Sequence, residues 1–227
     1  MTTPKTALFL IGSAKPAGAS TSEALATYLA QRLEQQDVAT ATMYVARAMR
    51  TETRVQELLQ AVDAVDLLVL AFPLYVDTLP YLATEALERI AAHRQVQPPP
   101  APAAFLAIAN CGFPEAQHNT TALAICLQFA GEAGFAWVGG LALGAGGAIN
   151  GRPLAEAGGM ARHVVQALDL AAAALVAGQP APQEAVTLLA RPLMPLRVYT
   201  FMGDLGWRMQ ARRHGAYRRL RARPFPQ

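Results

Sequence analysis

Five short apolar runs alternate with longer segments of helical periodicity, and this alternation limits the possible folds more than any other feature. Each run has the length of a strand and is apolar enough to be covered on both faces. Short linkers between strand and helix favour right-handed βαβ crossovers and a parallel sheet. The predicted strands are Thr6–Ile11, Thr40–Val45, Leu67–Phe72, Ala103–Ala109 and Phe135–Leu143.

The segments between the strands place apolar residues three and four positions apart, which is typical of amphipathic helices. A compact domain is expected over residues 1–179, and a helical, arginine-rich extension over 180–227, broken at Pro192 and Pro195. The predicted helices are Thr21–Gln35, Arg54–Val62, Leu82–His93, Thr121–Ala133 and Ala161–Val176.

The net charge of +3 is unevenly distributed. Residues 1–205 carry 12 Lys or Arg against 16 Asp or Glu, whereas residues 206–227 carry seven Arg and no acid. We expect this basic amphipathic segment to pack its apolar side on the body of the protein or on a partner subunit. Contact with an anionic membrane is the less favoured alternative, and no nucleic-acid motif accompanies the arginines.

The cysteine content indicates a reducing compartment. Cys111 and Cys126 are the two cysteines, too few for a disulfide framework, and neither belongs to a metal-ligand cluster. The amino-terminal run has no cleavage-type site, and the uncharged stretch 133–151 contains too many glycines for a membrane helix. We therefore expect a soluble, cytoplasmic protein without a metal site.

The loop after the first predicted strand, 12–22, has the composition of a phosphate-binding loop. Small residues let backbone N–H groups approach an anion, and a helix amino terminus adds partial positive charge. The loop matches neither the Walker A nor the GxGxxG pattern. The structural alternative is a flexible turn that ends in an ordinary helix cap at Ser20 or Thr21.

The loop after the third predicted strand adds a second motif. The segment from Pro73 to Arg89 resembles the P-x-Y-x(4)-P-x(7)-[DE]-R pattern of the flavodoxin-like NAD(P)H-dependent FMN and quinone reductases. The first loop is similar to the same family's G-S-x-[RK]-x(n)-S-x-[ST] phosphate loop. Val76 and Thr84 depart from the family's usual aromatic residue and lysine. The matching positions are Pro73, Tyr75, Pro80, Glu88 and Arg89 in one segment, and Gly12, Ser13, Lys15, Ser20 and Ser22 in the other.

The resemblance implies a flavodoxin-like α/β three-layer sandwich, with a five-stranded parallel sheet in the order 2-1-3-4-5 and a C-terminal helical extension. It also implies FMN as cofactor, NAD(P)H as co-substrate and a quinone or other small molecule as electron acceptor, in a homo-oligomer. The implied cofactor-binding residues are Ser13, Lys15, Ser20, Thr21 and Ser22 for the phosphate, Pro73, Leu74, Tyr75, Val76 and Asp77 as an apolar wall for the ring, and Asn110, Cys111, Gly112 and Phe113 at the ring's other edge.

The loop after the fourth strand carries the candidate proton donor, His118, because an imidazole titrates near neutral pH and would protonate a reduced quinone. A surface or capping histidine is the alternative. Asn119 is placed to cap the next helix. Cys111 is interpreted as a small, half-buried side chain, since the sequence places no resolving cysteine nearby.

The loop after the fifth strand is rich in glycine from Gly144 to Gly151. Either the glycines allow close approach to the ring or to nicotinamide, or they form a mobile lid. Arg152 is a candidate for contact with an NADPH phosphate, against the alternative of an ordinary surface arginine.

The sequence is therefore compatible with three functions: an NAD(P)H-dependent FMN or quinone oxidoreductase, a non-catalytic electron carrier of the flavodoxin type, and an interaction protein that has lost FMN. The arginine-rich extension favours the enzyme over the carrier, because carriers of that type usually present an acidic face.

Overall fold

In the computed structural model, which describes residues 3–99 and 101–222, five parallel strands form a sheet. They are β1 (Thr6–Ile11), β2 (Ala39–Tyr44), β3 (Leu67–Pro73), β4 (Ala104–Asn110) and β5 (Ala136–Leu143). Their spatial order is β2-β1-β3-β4-β5, which confirms the order implied by the resemblance. Each predicted strand lies within one residue of its observed bounds.

Helices cover both faces of the sheet. On one face α1 (Thr21–Glu34) packs on β1, β3 and β4 and against α6 (Arg162–Val176). On the other face α3 (Glu52–Asp63), α4 (Tyr81–Val96) and α5 (Thr120–Glu132) lie side by side. A short helix, α2 (Val45–Ala48), continues directly from β2 and was not predicted, because four residues carry no readable periodicity.

The central strands are buried on both faces, as a covered parallel sheet requires. Every residue of β4 is buried, whereas every residue of the edge strand β2 is partly or fully exposed. Phe105 on β4 lies under α5, with its ring 5.1 Å from that of Phe129 in an edge-to-face arrangement.

The edge strand β5 is covered by the chain that follows α6. The register between β4 and β5 shifts at Phe105/Leu106, and the Val138 carbonyl accepts a hydrogen bond from Ala181 N at 2.8 Å. The chain then enters α7 (Gln183–Leu189), which packs on α6 and β5. The first compact unit consequently runs to Leu193, so α7 lies inside it rather than in the extension predicted from residue 180.

The second unit, Met194–Gln227, contains α8 (Leu196–Arg213) and a 3₁₀ turn at Tyr217–Arg219. Pro195 directly precedes α8, at a position where its missing N–H costs no helical hydrogen bond. The expected interruption at Pro192 and Pro195 thus falls between α7 and α8.

One helical stretch of the described residues, Gly158–Val176, is long and apolar enough by composition to cross a membrane. It includes α6, whose buried side chains pack against α1 and α7. Packing of this kind is what a helix in the core of a globular domain shows.

The starts of β1 and β3 are joined through the carboxylate of Asp66. Its Oδ2 accepts hydrogen bonds from Lys5 N at 2.8 Å and from Thr6 N and Thr6 Oγ1 at 3.0 Å. Burial alone would raise the pKa of Asp66, but these hydrogen bonds outweigh burial and lower the pKa below its ordinary value.

We expect Asp66→Asn to lower the free energy of unfolding at pH 7 by about 1 kcal/mol, a modest value because the carboxylate is exposed. The folded pKa is depressed, so the stabilisation is present above the unfolded pKa of about 3.9 and is lost as pH falls through the folded pKa. Urea unfolding from pH 7 to pH 3 measures this. Glu57→Gln on the exposed side of α3 is the control, and equal effects of the two changes at pH 7 would contradict the assignment.

Candidate functional site

An open cleft of about 140 Å³ lies at the carboxyl ends of the strands, where open α/β sheets bind their ligands. Four loops meet there, those that follow β1, β3, β4 and β5. All the predicted cofactor-binding residues line the cleft except Val76, Asp77 and Phe113. The lining residues are Ser13, Lys15, Ser20, Thr21, Ser22, Pro73, Leu74, Tyr75, Asn110, Cys111, Gly112 and Gly147.

The loop before α1 is held by the helix cap. Ser20 is the N-cap, and its Oγ accepts a hydrogen bond from Glu23 N at 3.1 Å. The Glu23 carboxylate in turn accepts from Gly18 N at 2.7 Å and from the Tyr44 hydroxyl at 2.5 Å. The hydrogen bond to Glu23 raises the pKa of Tyr44. The expected cap is therefore present, and it fixes the loop that would surround an anion.

Three buried hydroxyl groups in this loop accept hydrogen bonds but have no described acceptor for their own protons. Ser13 Oγ accepts from Lys15 N at 3.3 Å, Ser20 Oγ accepts as the cap, and Ser22 Oγ accepts from Asn110 Nδ2 at 2.7 Å. All three serines are less than 5% exposed. Buried donors normally have partners, so these three O–H groups beside a helix amino terminus are suited to an anionic ligand.

Thr21 differs from these serines. Its hydroxyl donates to the Gly146 carbonyl at 2.7 Å, so the side chain joins α1 to the loop after β5. Its contribution to an anion site is therefore limited to its backbone N–H, which has no intrahelical acceptor.

The wall of the cleft ends in a strained turn. Tyr75 and Thr78 exchange two backbone hydrogen bonds around Val76 and Asp77, which have φ of 49° and 60°. Two positive φ values describe a type I′-like turn, and a β-branched residue such as Val76 is strongly disfavoured there. The Val76 side chain is 97% exposed. Strain of this kind clusters at ligand sites.

Asn110 lines the cleft, but its side-chain amide donates its hydrogen bonds within the protein. Its Nδ2 donates to Ser22 Oγ at 2.7 Å and to the Phe72 carbonyl at 3.0 Å. The side chain therefore fixes the relative positions of α1, β3 and β4.

Cys111 is buried, and its thiol points to the carbonyls of Phe113 and Glu115 at 3.4 and 3.6 Å. Burial raises the pKa of the Cys111 thiol, and burial raises that of Cys126 to about 12. Neither thiol therefore has the depressed pKa of a reactive cysteine, which favours the interpretation of Cys111 as a small packing residue.

His118 and Phe113 lie outside the cleft lining and stack on each other, with ring centroids 4.5 Å apart. His118 Nε2 is 3.7 Å from Glu115 Oε2. Asn119 occupies the N-cap position of α5, but its side chain makes no capping bond. Instead the buried side chain donates from Nδ2 to the carbonyls of Ala116 and Leu143. It therefore joins the start of α5 to the end of β5.

The glycines after β5 allow three loops to approach closely. A Cβ at Gly144 would lie 2.1 Å from the Pro114 carbonyl oxygen, and one at Gly146 would lie 2.7 Å from Asn110 Oδ1. Gly151 has φ of 77° and lies against the backbone of Gly18 and Ala19. Loop packing therefore explains these glycines, and Gly147 is the one that lines the cleft.

Three residues singled out by the sequence do not line the cleft. The Arg152 guanidinium donates to the carbonyls of Ala148 and Ile149 in its own loop. Glu88 lines a separate groove between α4 and α5, and Arg89 pairs with Glu52 on α3. Gly147 was missed, because no signal distinguishes it from the neighbouring glycines.

Comparison with known proteins is informative for the fold. A solved apo structure of an NADH:FMN oxidoreductase matches with a TM-score of 0.55 and 16% identity over 86% of this chain and 98% of that one. A flavone reductase matches with a TM-score of 0.52 and 10% identity, covering 72% of this chain and 62% of that one. The chain has a flavodoxin-like fold. The flavodoxin-like architecture inferred from the two loop motifs is thereby confirmed. No family model and no curated sequence matches the chain.

We expect Gly144→Ala to destabilise the protein by about 2 kcal/mol, because the new methyl group would overlap the backbone at Pro114. Gly147→Ala is the matched control in the same loop, since a Cβ there meets nothing within 4 Å. Thermal unfolding measures both. Equal stability of the two variants would show that the loops do not pack as described.

Proposed function

We propose that the cleft binds FMN and that the protein is an oxidoreductase passing electrons from NAD(P)H to a quinone or another small acceptor. The observation that carries the proposal is the set of three buried serine hydroxyls, Ser13, Ser20 and Ser22, whose protons have no described acceptor. Ser20 and Ser22 lie at the amino terminus of α1, Ser13 lies in the loop after β1, and all three line the cleft together with an apolar wall. A ligand with a phosphate and a flat ring would satisfy both features at once.

The donor set fits FMN at both ends. The backbone N–H groups of Thr21 and Ser22 at the helix amino terminus and the three serine hydroxyls suit a phosphate dianion, with Lys15 at the rim of the cleft. Pro73, Leu74 and Tyr75 form the apolar wall for the ring.

The ring's polar edge would meet backbone donors at the turn. The N–H groups of Leu74, Tyr75 and Thr78 are used within the protein, bonded to Asn110, Thr78 and Tyr75 respectively. Those of Val76 and Asp77 have no described acceptor and lie at the exposed tip of the turn. The strained turn therefore presents two hydrogen-bond donors that a ring edge would accept.

When bound, FMN would supply the electron relay between a reduced nicotinamide and the acceptor. The protein's own part is position and electrostatics, because no side chain of the cleft is arranged as a nucleophile. His118 is a proton source at most, because it and its neighbour Phe113 do not line the cleft. One open face serves NAD(P)H and acceptor in turn, so ping-pong kinetics are expected.

A flavodoxin-type electron carrier is the alternative. It would hold FMN in the same cleft but would not oxidise NAD(P)H with a small acceptor. The homo-oligomeric assembly and the cytoplasmic location inferred from the sequence stay predictions.

For the phosphate site, we expect Ser20→Asp to weaken FMN binding on the order of 100-fold, since like charges brought together cost several kcal/mol. Asp and Asn both cap helices well, so Ser20→Asn is a control that differs only in charge. Fluorescence titration of FMN gives the two dissociation constants. Equal FMN dissociation constants for the two variants would show that the phosphate does not bind beside Ser20.

For the activity, we expect the purified protein with FMN to oxidise NAD(P)H with menadione and to give parallel double-reciprocal lines. His118→Ala should slow quinone reduction and spare one-electron reduction of ferricyanide, because only the quinone takes up protons. Absence of NAD(P)H oxidation in protein that holds FMN would favour the carrier. Intersecting lines with FMN firmly bound would contradict the shared site.

A further inference from the structure

The second unit presents an apolar stripe along α8. Its members recur at the spacing i, i+3, i+4, i+7 and i+11, which places them on one side of a helix. Each of these residues is between 45% and 68% exposed, so the second unit does not itself bury the stripe. The stripe consists of Val198, Phe201, Met202, Leu205 and Met209.

Arginines surround this stripe. At 3.6 residues per turn, Arg208 and Arg213 border it on its two sides, and Arg212 continues it at the carboxyl end of α8. Residues 194–227 contain eight arginines against one carboxylate, whereas residues 1–193 contain 11 Lys or Arg against 15 acids. The unit is therefore strongly basic within a chain whose remainder is acidic.

This charge disfavours pairing of α8 with the same helix of a second copy, because two strongly basic segments would repel each other. The helix also needs a partner, since Gly203 and Gly206 weaken it and Ala211 is its one buried residue. A partner must therefore cover an apolar stripe and carry negative charge over its whole extent. An anionic bilayer meets both conditions, with acyl chains beneath a layer of phosphates.

We propose that α8 is an interfacial helix that attaches the protein to anionic phospholipid membranes. The stripe enters the boundary between headgroups and acyl chains, and the arginines lie along its borders, with aliphatic stems in the apolar layer and guanidinium groups on the lipid phosphates. Trp207, on the opposite side of α8, stays in water.

Vesicle flotation with the full-length protein tests the proposal. We expect binding to vesicles of phosphatidylglycerol and phosphatidylcholine that weakens with added salt, and at least tenfold weaker binding to phosphatidylcholine alone. Phe201→Gln should weaken binding at least tenfold, as expected for losing one buried aromatic side chain. Arg208→Gln with Arg213→Gln should weaken it at least fivefold, since an arginine near an anionic surface contributes about a factor of five and Arg208 also pairs with Asp204 at 2.8 Å.

Trp207→Gln is the matched control, because it removes a similarly exposed and even larger aromatic side chain from the opposite side of the helix. It should leave vesicle binding unchanged. FMN binding should be the same in all these variants, so the outcome is independent of the proposed function.

Two results would overturn the proposal directly. One is failure of the wild-type protein to float with phosphatidylglycerol vesicles at low salt, and the other is equal loss of binding in Phe201→Gln and Trp207→Gln. Light scattering provides a third. If Phe201→Gln turned an oligomer into a monomer and kept full vesicle binding, the stripe would be a subunit interface instead.

Discussion

The buried amide of Asn110 is the interaction on which the cleft depends. It joins the end of β4 to the end of β3 through the Phe72 carbonyl, and to α1 through the Ser22 hydroxyl. The preceding residue of α1, Thr21, donates a hydrogen bond to the Gly146 carbonyl, so the loop after β5 is fixed at the same place. A parallel sheet sets the spacing of its strands but not the positions of its loops. Two hydrogen bonds from the Asn110 side-chain amide and one from the Thr21 hydroxyl join the separate loops into one surface.

The same arrangement separates the rigid part of the cleft from its strained part. The glycine contacts at Gly144 and Gly146 leave no room for a side chain, so the loops on that side are closely packed. The turn at Val76 and Asp77, in contrast to these closely packed loops, is exposed and has an unfavourable backbone conformation. Strain persists only when its surroundings over-determine it, and the hydrogen bond from Leu74 to Asn110 connects this turn to the rigid part.

The sheet could be predicted from the sequence because burial on both faces leaves a strong local pattern, as β4 shows. Most residues that line the cleft could also be predicted from the sequence, since parallel strands place their carboxyl ends at one edge of the sheet. What could not be predicted is where a donor points. Asn110 and Asn119 bond partners that only the tertiary approach of distant segments supplies, and Arg152 bonds carbonyls of its own loop. The glycines after β5 were ambiguous for the same reason.

The acidic and basic parts of the chain have different proposed roles, ligand binding in the cleft and attachment to a membrane. Residues 1–193 are acidic overall and residues 194–227 are basic, so the basic pI of the whole protein says nothing about the cleft. An anionic membrane surface would attract the basic second unit and repel the acidic first unit. Because these forces act in opposite directions on the two parts of the chain, they would orient the protein as well as hold it at the membrane. Quinones with long apolar chains partition into bilayers. A reductase held at that surface would meet such an acceptor by two-dimensional diffusion, and the cleft itself would need no affinity for lipid.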